Sequence, residues 1–594
     1  PSPQRDNGYD VADYRAVDPR FGTMEDLEAL IAEAAAHGIG LMFDMVFNHT
    51  STAHAWFQKA LKGDEKYMKY YIFRDGAPDA PPTNWQSKFG GSAWEYVPEL
   101  GKWYLHLFDV TQADLNWENP EVREELKAIL RFWKEKGVKG FRFDVVNLIS
   151  KGNFVDDAEG DGRRFYTDGP HVHEYLKELV HDSGIEGMVT VGEMSSTTIA
   201  NCIRYTNPRE HELSMTFSFH HLKVDYKNGD KWSLMAPDIH KLKEIFASWQ
   251  EGMAAGGGWN AVFWCNHDQP RIVSRLGDTG KYWKESAKML AAAIHLMRGT
   301  PYIYQGEEIG MTNADFTDIA DYRDVESINY HGILREAGLS EAETMKVIEA
   351  RSRDNGRTPM QWTAGESAGF TSGTPWLGAN RNHASINVEC EQQEADSILA
   401  FYRELIALRK KHRIIAEGSI HFLARENDDV LAYERELAGE HLLVLCNFRP
   451  TDVPMPEWPA VGAKAGEKLI GIVDKLSPPL RKFLSDNTED GVLRAFMSTA
   501  KRIWPKEQHD QISKDNMLIL VPAFTISELT KAFQVGFLLY LPFIAIDLII
   551  SNILLAMGMM MVSPMTISLP FKLLLFVTLD GWLKISQGLL LSYK

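Results

Sequence analysis

Four apolar segments of this chain each follow an amphipathic stretch and each end in an acid, and no other feature limits the fold as much. "MEDLEALIAEAAAHG" carries apolar residues at helical spacing up to Gly38, and "IGLMFDMVFNH" after it reads as a buried strand whose C-terminal end turns polar. The unit returns in "PEVREELKAILRFWKEKG" before "VKGFRFDVVN", in "GPHVHEYLKELVHDSG" before "MVTVGEMSS", and in a later helix before "NAVFWCNHDQPR". Helices alternating with buried strands predict an α/β fold around a parallel sheet. Asp44, Asp144, Glu193 and Asp268 stand at the strand tips, where a (β/α)8 TIM barrel places its catalytic groups. One strand-end acid alone reads as a helix cap or a solvated turn residue. Four in register predict a site.

Paired carboxylates suit glycoside cleavage, in which one acts as nucleophile and a second, protonated, acid releases the leaving oxygen. Arg142 lies two residues before Asp144 and so on the same face of a strand, where its charge would keep that carboxylate ionised. Such chemistry requires no metal or cofactor, and "DAEGDGRR" lacks the full ligand run of a calcium loop and reads as a surface turn. The net charge of −18 argues against a nucleic-acid partner. Cys202, Cys265, Cys390 and Cys446 are scattered without a C-x-x-C pair, which fits a reducing compartment. The first residues show neither a basic segment nor an apolar one of the secretory kind.

"DMVFNH", "GFRFDVVN", "VGEMSS" and "FWCNHDQPR", in this order, resemble the four signature regions of the α-amylase clan, glycoside hydrolase family thirteen. "QADLNWENP" resembles its fifth region. The resemblance implies Asp144 as nucleophile, Glu193 as general acid/base and Asp268 as transition-state stabiliser, with His49, Arg142 and His267 holding the sugar. "DNGYD" and "SRDNGRTPMQW" are similar to the oligosaccharide-glucosidase branch, where Asp10 and Arg357 would clamp the terminal glucose. Val145, directly after the nucleophile, is similar to enzymes that act on α-1,6 links or on phosphorylated trehalose. "ELSMTFSFHHLKVDY" and "GGGWNAVFWCNHDQPRIVSR" resemble the trehalose-6-phosphate hydrolases of the clan, from residue 1 to about 471. That resemblance implies a phosphorylated disaccharide as substrate, with an oligo-1,6-glucosidase as the alternative. A phosphate needs cationic or N–H donors, and "HHLKVDYKNGDKW" offers His220, His221, Lys223, Lys227 and Lys231, of which the first three are the expected phosphate ligands.

By the same resemblance, the chain starts in the loop after the second barrel strand, so the expected fold is a TIM barrel lacking its first strands over 1–415. The polar, aromatic stretch from about 51 to 111 is expected to be a domain inserted after the third strand. A partial C-terminal β-domain is expected over 416–471, because "GSIHFLARENDDVLAYEREL" and "EHLLVLCNF" alternate like antiparallel strands.

Composition changes near residue 471: from Ile472 onward there are 12 Lys/Arg against 10 Asp/Glu, so the acidic excess belongs to the earlier part. Residues 536–555 and "SLPFKLLLFVTLDGWLKISQGLLLSY" predict two membrane-helix stretches, with Asp547, Lys572, Asp580 and Lys584 inside them. The segment 472–594 resembles the C-terminal part of the inner-membrane export-gate protein shared by type III secretion and flagellar systems. Three readings follow: a cytoplasmic glycosidase joined to a membrane segment, an export-gate component carrying an inactive glycosidase fragment, and a non-catalytic glycosidase-like domain on a membrane anchor. The complete set of catalytic positions favours the first.

Overall fold

The computed structural model describes residues 1–454, 484–504, 509, 512–514, 516–557 and 564–578. The chain divides into two compact units, Pro1–Pro459 and Ala460–Lys594.

In the first unit, strands Met42–Met45, Gly140–Phe143, Val189–Met194 and Met215–Ser218 pair in parallel and in chain order. A bridge from Thr216 to Asn260 carries the array into Ala261–Val262, which pairs in parallel with Thr300–Pro301. Helices Pro120–Glu135, Val172–Asp182, Ile199–Thr206, Ile239–Ala255 and Trp283–His295 fill the connections. The result is a TIM-barrel arc of six strands. Among the described residues, its two outermost strands each keep one unpaired edge, the two-strand deficit that the sequence predicts.

Local chemistry sets these elements. Thr23 and Asp26 form a reciprocal capping box at the start of Met24–Ala36. At its end Gly38, with φ +73°, and Ile39 donate back to Ala35 and Ala34, a reversal that a residue with a side chain adopts at a cost. Asn119 caps Pro120–Glu135, and the first-turn Pro120 lacks the N–H that would otherwise be unsatisfied. That helix buries Val122, Leu126, Ile129, Leu130 and Trp133 against Phe141 and Phe143 of the sheet, in one core with Leu176 and Leu179.

The inserted segment opens and closes with an antiparallel pair, His49–Ser51 against Gln112–Asp114. Between them lie a helix, Ala55–Leu61, and a sheet of Phe73–Asp75, Lys102–Leu105 and Trp94–Val97 in that order. After the arc, Ser419–Leu423, Val430–Leu437 and Glu440–Asn447 form an antiparallel sheet. Arg435, fully buried there, donates to the carbonyls of Ile415, Gly418 and Leu296. The remainder of the expected β-domain, from residue 455 on, lies outside the described residues.

In the second unit, Asp490–Ile503 packs Leu493 and Ala500 on Ile519, Leu520 and Ala523 of the 40-residue helix Met517–Ala556. From Leu518 to Ala556 that helix is long and apolar enough to cross a membrane, and it is the single such helix among the described residues. Its apolar side chains are largely uncovered, Phe533, Phe537, Leu548 and Leu555 among them. Asp547 accepts from Ser568 (2.5 Å) and pairs with Lys572 (2.6 Å), both on Pro564–Thr578, so the two charges that the sequence places in apolar surroundings compensate one another. Asp580 and Lys584 lie outside the described residues, as does most of the second expected membrane stretch.

Candidate active site

Strand register assembles the first half of the site. Arg142 stands opposite Asp44 on the neighbouring strand, and Glu193 belongs to the next strand but one from Asp44. The Arg142 guanidinium reaches Asp44 at 2.6 Å and Asp144 at 2.8 Å through Nη1, and Glu193 through Nη2. Asp144 follows the end of its strand, with its N–H donating to the Met45 carbonyl (3.0 Å). Val145 then turns left-handed at φ +35°, a strained state for a β-branched residue. Backbone strain therefore sits directly beside the central acid.

The electrostatics of Asp144 differ from the sequence expectation. Burial pushes its carboxyl up to about 7; Arg142 pulls against this, but Asp44, Asp268 and Asp6 add to the rise. The charged form thus prevails above about 7 and the neutral form below it. With Asp144 as the group that must be ionised, kcat/KM for an uncharged glucoside should fall about tenfold per pH unit on the acid side of that value. Asp44→Asn removes one negative neighbour and should move this limb to lower pH. A profile that stays level down to about pH 5 would exclude Asp144 as the controlling group.

The second half of the site is held by arginines. Arg357 Nη2 contacts Asp268 at 2.8 Å and Arg353 Nη1 contacts it at 3.3 Å. Asp268 is held well below the usual carboxylate range against the opposing effect of its burial, by His267, Arg353 and Arg357. The His267 ring stacks on Tyr9 with 4.7 Å between centres, and the Tyr9 hydroxyl donates to Asp44 (2.6 Å), tying the two halves together. Arg353 also pairs with Asp6 (3.0 Å) and Asp324 (2.6 Å). Glu326, 3.5 Å from Arg353, extends the chain of charges to Lys231 at 2.5 Å.

A cavity of about 280 Å³ runs over these groups and is lined by Asp144, Glu193, Asp268, His49 and Lys223. His49 Nε2 donates to the Tyr9 carbonyl (3.0 Å), and burial holds the ring neutral by lowering its pKa. Arg142, His267 and Arg357 stand behind the lining, Arg142 in contact with Asp144 and Glu193, and His267 and Arg357 in contact with Asp268. Asp10 does not face the cavity: its carboxylate accepts from the N–H groups of Arg5 and Asp6 and from the Ser2 hydroxyl, and so organises the turn. Asp6, four residues earlier, takes the lining position that the sequence reading gave to Asp10. His220 and His221 also lie away from it. His221 donates to the Phe263 carbonyl (2.8 Å), His220 packs on Trp249, and burial pushes both rings down to about 4, which leaves them without the charge an anion requires.

The sequence reading missed Asp6, Tyr9, Lys88, Glu326 and Arg353 as lining residues. Three of these lie inside quoted motifs, Asp6 and Tyr9 in "DNGYD" and Arg353 in "SRDNGRTPMQW"; Lys88 and Glu326 carry no sequence signal. Among the described residues, no group of three or more His, Cys, Asp or Glu side chains is arranged to hold a metal ion.

Residues 1–418 match the family model for the alpha amylase catalytic domain, and residues 461–589 match the FliP family. The trehalose-6-phosphate hydrolase of Bacillus subtilis (strain 168) is 55% identical over 456 residues, 76% of this chain and 81% of that protein. The oligo-1,6-glucosidase of Parageobacillus thermoglucosidasius is 46% identical over 457 residues, 75% of this chain and 81% of that protein. The crystal structure of trehalose-6-phosphate hydrolase from Bacillus licheniformis superposes with a TM-score of 0.73 at 57% identity, covering 75% of this chain and 81% of that one. Three acids at or beyond the ends of strands in one parallel arc, in a chain of which the first 418 residues fit one model, have a single explanation: the chain belongs to the alpha-amylase catalytic family of glycoside hydrolases.

Proposed function

We propose that the chain hydrolyses trehalose 6-phosphate to glucose and glucose 6-phosphate with retention at the anomeric carbon. The carrying observation is the single Arg142 guanidinium in contact with both Asp144 and Glu193. It keeps the two carboxyl groups close, which favours the ~5–5.5 Å separation of a retaining enzyme over the ~6.5–9.5 Å that an inverting one needs to admit water. In this reading Glu193 protonates the glycosidic oxygen while Asp144 attacks the anomeric carbon, forming a glycosyl ester and releasing one sugar. Water then attacks that ester as Glu193 takes its proton, and the second sugar leaves with Asp144 free again. Asp268, kept charged by its arginines, faces the developing positive charge on the ring. Asp6 takes the glucose-clamping role together with Arg357. The substrate assignment is supported by the trehalose-6-phosphate hydrolase relatives and by Lys223, which lines the cavity with no carboxylate partner among the described residues.

The test is release of glucose 6-phosphate from trehalose 6-phosphate by the full chain, with Glu193→Gln as control. Release that disappears in the control supports the reading. Turnover of isomaltose with none of trehalose 6-phosphate would replace it with an oligo-1,6-glucosidase.

In the same reading the enzyme unit is cytoplasmic and Leu518–Ala556 is a membrane segment, supported by its length, its uncovered apolar surface and the FliP family match. Recovery of the full chain in the soluble fraction after cell lysis would contradict this.

A further inference from the structure

Two ammonium groups line the cavity with no ion-pair partner among the described residues. Lys223 ends the short turn His220–Lys223 that follows the strand Met215–Ser218, whereas Lys88 arrives from the inserted segment, 135 residues earlier in the chain. Lys88 donates to the Ser195 hydroxyl (3.2 Å) and lies 5.5 Å from the centre of the Tyr166 ring. Lys231, on the same wall, is by contrast neutralised by Glu326. Holding two like charges in a partly buried cavity is unfavourable unless a counter-charge arrives with the ligand. A group with two negative charges and several acceptor oxygens meets that need.

We propose that Lys88 and Lys223 form a two-armed clamp for a phosphate dianion on the leaving sugar, and that Lys88 sets the preference for phosphorylated over unphosphorylated glucosides. This deepens the substrate reading above and rests on it. Surroundings of Lys88 give the clamp a pH range. Burial pushes its ammonium down to about 7, Arg163 and Lys223 push the same way, and Asp161 and Asp114 pull it up. A sugar phosphate gains its second negative charge above about 6. Both partners are therefore mostly charged together only in a narrow interval between these values, until binding itself raises the Lys88 affinity for its proton.

The experiment compares the full chain with Lys88→Gln and Lys88→Arg on trehalose 6-phosphate and on 4-nitrophenyl α-glucoside. In Lys88→Gln the ratio of kcat/KM on the first substrate to that on the second should fall ~30-fold, the size of one lost charge-assisted hydrogen bond. Lys88→Arg should restore the ratio and keep KM for trehalose 6-phosphate low at pH values where the wild type has lost affinity, because a guanidinium keeps its proton. Inorganic phosphate, titrated calorimetrically into the Glu193→Gln chain, should bind more weakly once Lys88→Gln is added. A ratio unchanged in Lys88→Gln, with both substrates slowed equally or neither slowed, would overturn the clamp while leaving the substrate reading intact. A wild type that cleaves 4-nitrophenyl α-glucoside but not trehalose 6-phosphate would overturn both.

Discussion

Asp144→Asn is expected to lower kcat by at least ~10⁴-fold, the order of loss seen when a covalent nucleophile is removed, while leaving the protein folded. The amide matches the carboxylate in size and still accepts from Arg142, so the geometry around Glu193 and Asp44 has no reason to move. What disappears is the negative oxygen that, in the proposed mechanism, attacks the anomeric carbon. Folding should gain slightly rather than lose. Because burial holds the Asp144 carboxyl at about 7, above its unfolded value, its charge opposes folding most above pH 7, and a neutral amide removes that opposition there. Steady-state kinetics with thermal unfolding at pH 8 checks both parts. Wild-type turnover in the variant would remove Asp144 as nucleophile, and a large drop in melting temperature would make the lost activity a folding effect.

Arg353→Met is expected to destabilise the first unit by ~3–5 kcal/mol, the cost of leaving buried charges without their partner. The guanidinium is buried and serves Asp6, Asp324 and Asp268 together, and the methionine fills part of its volume without any of its hydrogen bonds. The loss depends on pH. Burial already pushes Asp6 up to about 6 with Arg353 in place, and without it that carboxyl titrates higher still. Below about 6 Asp6 then sheds its charge by binding a proton, so the penalty should shrink on acidification and be greatest near pH 8. Urea unfolding of both proteins at about pH 5.5 and pH 8 measures it. Equal midpoints at both values would show that the acids are held by something other than Arg353. Lys in place of Met should recover part of the stability, since an ammonium supplies charge without the planar fork that reaches several carboxylates.

The strand-end acids were legible in sequence because a strand's period of two and its ending at the polar tip fix where such a side chain points, and the TIM-barrel class followed from their recurrence. Choosing between Asp6 and Asp10 was not possible by the same route. Both sit in one tight turn, and which carboxylate faces inward depends on which backbone N–H groups the other must satisfy, a matter of three-dimensional closure. His220 and His221 misled for a related reason: charge was read from residue type, but the pockets formed by Trp249, Phe246 and Phe263 strip it from both rings. Lys88 was hidden because the inserted segment follows no period, so no spacing says which of its cations turns toward the barrel. Arg142 was placed correctly beside Asp144 but given too much influence. Its attraction is one contribution among several, and the crowd of acids around it is visible only once the strands are side by side.

The link between Asp6 and Arg353 joins positions 347 residues apart in the chain. A ribosome adding ~5–20 residues per second needs about 20 to 70 seconds to cover that interval. Until its end Asp6 lacks Arg353, and until residue 267 is added Tyr9 lacks the histidine on which it stacks. The sugar pocket is therefore among the last parts of the barrel to be completed during synthesis, and a premature stop between Asp268 and Arg353 yields a nascent chain with all three proposed catalytic acids and no finished glucose clamp.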